Sequence, residues 1–93
     1  MTQKAIDTAI VKIQQLLERD YPHLEWRVRF HPATTGQSAA AATVAVSART
    51  RDFRSRHRSE RPWAAVAASP TLEALVAEIA AEAERVLAQE PPS

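Results

Sequence analysis

The sequence predicts a two-layer α+β sandwich in the order α-β-β-β-α: a three-stranded antiparallel meander with both helices on one face. Three observations predict it. Apolar residues recur at three- and four-residue spacing at both ends of the chain, they alternate strictly over residues 24–31, and the connections between middle segments are short.

The first helix is predicted from Ile6, Ala9, Ile10, Ile13, Leu16 and Leu17, which share one face of a 3.6-residue repeat. Thr2 offers an N-cap, and Pro22 ends the helix because proline lacks an amide hydrogen and disfavours helical geometry before it. In "LEWRVRFH" the period changes to two. Leu24, Trp26, Val28 and Phe30 alternate with Glu25, Arg27, Arg29 and His31, which predicts a strand with one buried and one wet face. "PATTGQS" is turn material and holds the only glycine, Gly36. "AAATVAVSAR" is expected as the second strand, with Val44, Val46 and Ala48 inward and Thr43, Ala45, Ser47 and Arg49 outward. "PWAAVAAS", residues 62–69, is expected as the third strand.

The last helix starts at a Ser69 cap with Pro70 in its first position. Leu72, Leu75, Val76, Ile79, Ala83, Val86 and Leu87 form its apolar stripe. Residues 1–89 read as one α+β domain and residues 90–93, "EPPS", as a disordered tail. Both helices must cover the same sheet face, because the first strand is polar on the other.

A chain of 93 residues buries somewhat over ~60% of the surface its unfolded form exposes, which allows one modest core. It contains no cysteine, so neither a disulfide nor a thiolate metal site contributes. The N-terminal stretch mixes charged and apolar residues and does not resemble a signal peptide. No segment reaches the ~20 apolar residues of a membrane helix, so no membrane contact and a cytoplasmic location are expected. Net charge is +1, yet its distribution is uneven. Residues 1–26 sum to −1, residues 27–61 to +6 and residues 62–93 to −4. Such segregation speaks to partners rather than to fold.

The excess is densest in "RTRDFRSRHRSERPW", Arg49 to Trp63, with six arginines. The wet side of the first two strands carries Arg27, Arg29, His31, Arg49 and Arg51, and the segment beyond adds Arg54, Arg56, Arg58 and Arg61. Guanidinium groups present planar donor pairs matched to phosphate and carboxylate. Phe53 and Trp63 offer stacking surfaces of the kind used by single-strand nucleic-acid binders. Arg49 and Arg51 share one strand phase, while Arg54, Arg56 and Arg58 share the other. A turn or bulge is therefore expected near Asp52–Phe53, with Arg54 to Arg61 as a mobile hairpin tip.

Other chemistries find little support. His23, His31 and His57 lack metal-ligand spacing, and neither metal nor cofactor is expected. Ser55, His57 and Ser59 near Asp52 are neighbours in a tip rather than a scaffolded triad. One glycine excludes the usual glycine-rich phosphate loops. A ribonuclease using His31 beside Arg29, or His57 among its arginines, is a weaker reading than surface histidines in a basic setting.

Helix, three strands and helix is an order similar to that of double-stranded RNA-binding domains and the small toxins built on that fold. The resemblance is one of element order. "SPTLEAL" stands where that family has a lysine cluster, and "HPATTGQSAA" lacks its glycine–proline–histidine connection, so none of its RNA-contacting residues carries over.

The functional expectation is a small non-enzymatic binding protein whose arginine-rich sheet face and hairpin tip contact a polyanion, foremost the backbone of RNA or DNA. The competing expectation is a protein–protein module, such as a small phage- or plasmid-type inhibitor acting in anti-defence. It would use its basic surface on an acidic protein, or its acidic helices to mimic nucleic acid. Self-association through opposite-charge patches is a variant of the same idea.

Overall fold

A computed structural model describes residues 3–34, 36 and 41–89. The expected cap at Thr2 and the expected tail at 90–93 lie outside the described residues.

Helix α1 spans Gln3–Asp20 and buries Ile6, Ile13, Leu16 and Leu17. It closes where Tyr21 N–H donates to the Leu17 carbonyl at 2.9 Å, one residue before Pro22. Strand β1, Leu24–His31, follows the predicted alternation: Leu24, Trp26 and Val28 are buried and Phe30 packs on the core. Strand β2 is Thr43–Thr50, with Val44, Val46 and Ala48 inward as expected. Ala45 points to the opposite face but is also buried, for a reason given below.

The third strand differs from the expectation. Strand β3 is Arg56–Pro62, and the segment expected to extend is helix α2, Trp63–Ala68. Trp63 and Val66 are both buried, one helical turn apart, and the alanines between and after them are the strongest helix formers. Alanine carries no hydrophobic period of its own, so the sequence of this segment does not separate strand from helix. Helix α3 spans Leu72–Gln89 and buries Leu75, Val76, Ile79, Ala80 and Ala83. Its cap is Thr71 rather than Ser69: the Thr71 hydroxyl accepts from Ala74 N–H at 3.1 Å, whereas Ser69 Oγ donates back to the Ala65 carbonyl.

The strands form one antiparallel sheet in the order β1-β2-β3. Helix α1 packs on β1 and on α3, and α3 packs on β3, so the long helices cover one face. One apolar cluster from Ile6 to Ala83 fills the space between layers. No described helix lies over the other sheet face. Among the described residues, no helix is long and apolar enough to cross a membrane.

The outer edge of β1 is closed by a side chain. Gln14 Nε2 donates to the Trp26 carbonyl at 2.8 Å, and Gln14 Oε1 accepts from Val28 N–H at 2.9 Å. A carboxamide carries one donor group and one acceptor, as a peptide does, and here it takes the place of a neighbouring strand.

Candidate polyanion-binding face

The uncovered face is set out by register. Its rows across β1, β2 and β3 are Glu25–Arg49–Arg56, Arg27–Ser47–Arg58, Arg29–Ala45–Glu60 and His31–Thr43–Pro62. The central strand thus supplies small side chains in the middle rows, and the flanking strands supply long ones. The result is a trough with a floor of Ser47 and Ala45 and walls of arginine. Its flanking strands lie two inter-strand spacings, ~10 Å, apart. A shallow depression of about 980 Å³ runs along it beside Arg27, Ser47, Arg49, Arg56 and Arg58. A smaller one of about 250 Å³ lies between Arg29, His31 and Arg58 over Ala45.

Arg58 explains why Ala45 is buried on the open side. Its Nη2 lies 2.9 Å from Glu60 Oε1 and 3.3 Å from His31 Nε2, on the far strand. The side chain therefore arches over the central strand, and only a small residue fits beneath it. Acceptance by His31 requires that Nε2 be the unprotonated ring nitrogen. Thr43 Oγ1 donates to the other Glu60 oxygen at 3.2 Å.

Arg49 and Arg56 stand directly opposite each other. Like charges in that position cost up to ~1 kcal/mol. Arg49 is drawn aside by Glu25 Oε2 at 2.8 Å and lies over the Phe53 ring, 4.3 Å from its centroid. Arg27, Arg29 and Arg56 have no ion pair among the described residues. Five arginines thus share this face with two glutamates, and three of the five are electrostatically uncommitted.

The turn that returns β3 to the sheet lies where the phase break required it. Phe53 adopts a positive φ of 62°, and its N–H donates to the Thr50 carbonyl at 2.9 Å. The Thr50 hydroxyl donates to Asp52 Oδ1 at 2.6 Å, and the same carboxylate oxygen accepts from Arg54 N–H at 3.2 Å. These bonds hold the Asp52 carboxyl below its ordinary value of 3.8, the Thr50 hydroxyl being the larger cause. Ser55 N–H donates to Thr50 Oγ1 at 3.2 Å, and Thr50 N–H to the Ser55 carbonyl at 2.9 Å. The connection is therefore a short ordered turn, and the expected tip over Arg54 to Arg61 shrinks to residues 51–55. Phe53 is its exposed apolar residue, 65% accessible.

No protein-family model, curated protein or solved structure matches this chain. Its reading therefore rests on its own residues.

The predicted set divides in three. Arg27, Arg29, His31, Arg49, Arg56 and Arg58 converge on the open face. Arg51, Phe53 and Arg54 sit at one end of it, where Arg51 Nε donates to the Pro22 carbonyl at 3.1 Å and Arg54 approaches Asp52 at 3.7 Å. Arg61 and Trp63 lie elsewhere. Trp63 is buried edge-on to Phe30, with ring centroids 5.8 Å apart, so it is a core residue and not a stacking platform. Arg61 points to the helix side, where its Nη2 is 3.6 Å from Glu82 Oε2. His57 shares that side, its Nε2 3.8 Å from the same oxygen. Glu82 joins this side only through β3, and the sequence gives no sign of that link because Arg54 to Arg61 read there as a mobile tip. Among the described residues, no group of three or more His, Asp and Glu could hold a metal ion.

Proposed function

We propose that this protein is a non-enzymatic polyanion-binding domain whose open sheet face seats a phosphate backbone, RNA or DNA, with little sequence preference. The observation that carries it is the trough itself: uncommitted Arg27, Arg29 and Arg56 wall a floor of Ser47 and Ala45 on a face that no described helix covers. A protein that needed these arginines only for solubility would gain nothing from opposing Arg49 with Arg56. Residues two apart on one strand recur every ~6.8 Å, so Arg27 and Arg29 can meet successive phosphates of one strand. Phe53 supplies an exposed aromatic ring at the end of the trough.

Titration of labelled single- and double-stranded oligonucleotides at two salt concentrations tests the reading. Each phosphate contact contributes ~0.9 to the salt slope on duplex DNA and ~0.7 on single strands. Arg27→Ala and Arg56→Ala are each expected to flatten the slope by about one such step, whereas Arg85→Ala on α3 leaves it unchanged. No binding at low salt overturns the reading, as does a slope indifferent to both face variants. A partner recovered from lysate that survives nuclease would instead make the trough a dock for an acidic protein surface.

A further inference from the structure

The two sheet edges are treated differently. Gln14 closes β1, but no described side chain bonds the outward backbone of β3. Which groups face outward follows from the ladder. Thr50 N–H pairs with the Ser55 carbonyl and Trp63 N–H with the Ala42 carbonyl. In antiparallel pairing the bonded residues alternate, so Ser55, His57, Ser59, Arg61 and Trp63 face β2. Arg56, Arg58 and Glu60 are left with N–H and C=O directed away from the sheet.

We infer that this edge pairs with the same edge of a second copy, β3 against β3 in antiparallel register centred on Ser59. In that register the bonded pairs are Arg58 with the partner's Glu60 and Glu60 with the partner's Arg58, opposite charges on the open face. Sliding one strand by two residues in one direction sets Glu60 against the partner's Glu60 and leaves no opposite-charge pair; in the other it sets Arg58 against the partner's Arg58, between two pairs of Arg56 with the partner's Glu60. Only the centred register pairs opposite charges without a like pair.

A second observation falls at the same place. On the helix side, His57 Nε2 and Glu82 Oε2 are buried and have no hydrogen-bond partner among the described residues. They lie 3.8 Å apart, and Arg61 Nη2 stops 3.6 Å from the carboxylate. Centred pairing puts the partner's Arg61 directly opposite His57, in the closer, non-bonded type of pair. Its guanidinium then reaches Glu82 and supplies the missing donor. The two open faces become one six-stranded basic surface, three strands from each copy. A contact this narrow implies a weak dimer, so its association is concentration-dependent.

Sedimentation equilibrium of the full chain, free of nucleic acid, over a range from about 10 to 500 μM tests the inference. Wild type is expected to shift from monomer toward dimer. Arg58→Glu and Glu60→Arg, checked for folding by circular dichroism, each set like charges across the two-fold and are expected to remain monomeric. Mixed together they are expected to form a heterodimer, because each strand then meets its opposite; loss of an intrachain ion pair cannot produce that result. Ser59→Cys gives a second reading. The chain has no cysteine, and Ser59 would face the partner's Ser59 at a Cα separation of ~4.5 Å, within disulfide reach. Mild oxidation is expected to yield a covalent dimer. A wild type monomeric throughout, a mixture that stays monomeric, or a dimer that Ser59→Cys does not cross-link each overturns the proposal. Because no nucleic acid is present, the outcome is independent of polyanion binding.

Discussion

Gln14→Ala removes both hydrogen bonds that close the β1 edge. Each is 2.8–2.9 Å long and half-buried, and such bonds contribute ~0.5–1.5 kcal/mol net. Together they place the loss at about 1–3 kcal/mol, and alanine's small helix-propensity advantage returns only a few tenths. For a domain of this size each kcal/mol moves Tm by ~4–8 °C, so a loss of ~2 kcal/mol lowers Tm by roughly 8–16 °C. Thermal unfolding by far-UV circular dichroism measures the total, and hydrogen exchange at Val28 N–H locates it. Gln14→Glu refines the test. Its carboxylate keeps an acceptor for Val28 but turns a second oxygen on the Trp26 carbonyl, so the protonated acid, which can donate there, is the better fit. The folded-state pKa of that variant therefore lies above the ordinary glutamate value of ~4.3. Its extra stability is fully present below the unfolded pKa and fades as pH rises through the folded one. An alanine variant melting with wild type, or a glutamate variant that gains nothing relative to wild type on acidification, would refute the surrogate-strand reading.

Three further outcomes are expected. Trp63→Ala is expected to cost ~3–5 kcal/mol, as for a large aromatic removed from a packed core, and denaturant unfolding measures it. A surface-like change below ~0.5 kcal/mol would return Trp63 to the exposed set. Phe53→Gly should be more stable than Phe53→Ala by about 1 kcal/mol, since both lose the ring but only glycine tolerates a φ of 62° without strain; equal stabilities contradict the left-handed turn. Because Asp52 is held below its usual pKa, its contribution to the turn persists above the unfolded value and is lost as pH falls through the folded one. The amide resonance of Arg54 should report that loss in an NMR titration, and Asp52→Asn should abolish the transition.

Strand β1 was legible to the residue because its apolar and charged positions alternate without exception. Strand β2 was legible from its valines, and the turn at residues 51–55 from the phase of the arginines on either side. Strand β3 was not. "RHRSERP" contains no large apolar residue: its helix-facing positions are His57, Ser59 and Arg61, so both faces read as wet. Hydrophobic periodicity has no purchase on an edge strand whose inner side rests on a glutamate. The same gap displaces the expected third strand onto "PWAAVAAS" and sets Trp63 among the expected stacking surfaces. The candidate site survived this error in part. Arg27, Arg29, His31 and Arg49 were placed by β1 and β2 alone, while Arg56 and Arg58 joined them through a strand the sequence concealed. Arg61 left the group for the same reason.

The turn at residues 51–55 makes the basic face a matter of counting. β3 shows Arg56 and Arg58 to the open side only because the number of residues between Thr50 and Arg56 has the right parity. Deleting or inserting one residue there would change no arginine, yet it would turn Arg56 and Arg58 under α3 and bring His57, Ser59 and Arg61 out. Single substitutions can erode this surface one charge at a time; a one-codon insertion or deletion in the hairpin inverts half of it at once. In sequences descended from a common ancestor, the length of this turn should therefore hold more firmly than the identity of any one of its arginines.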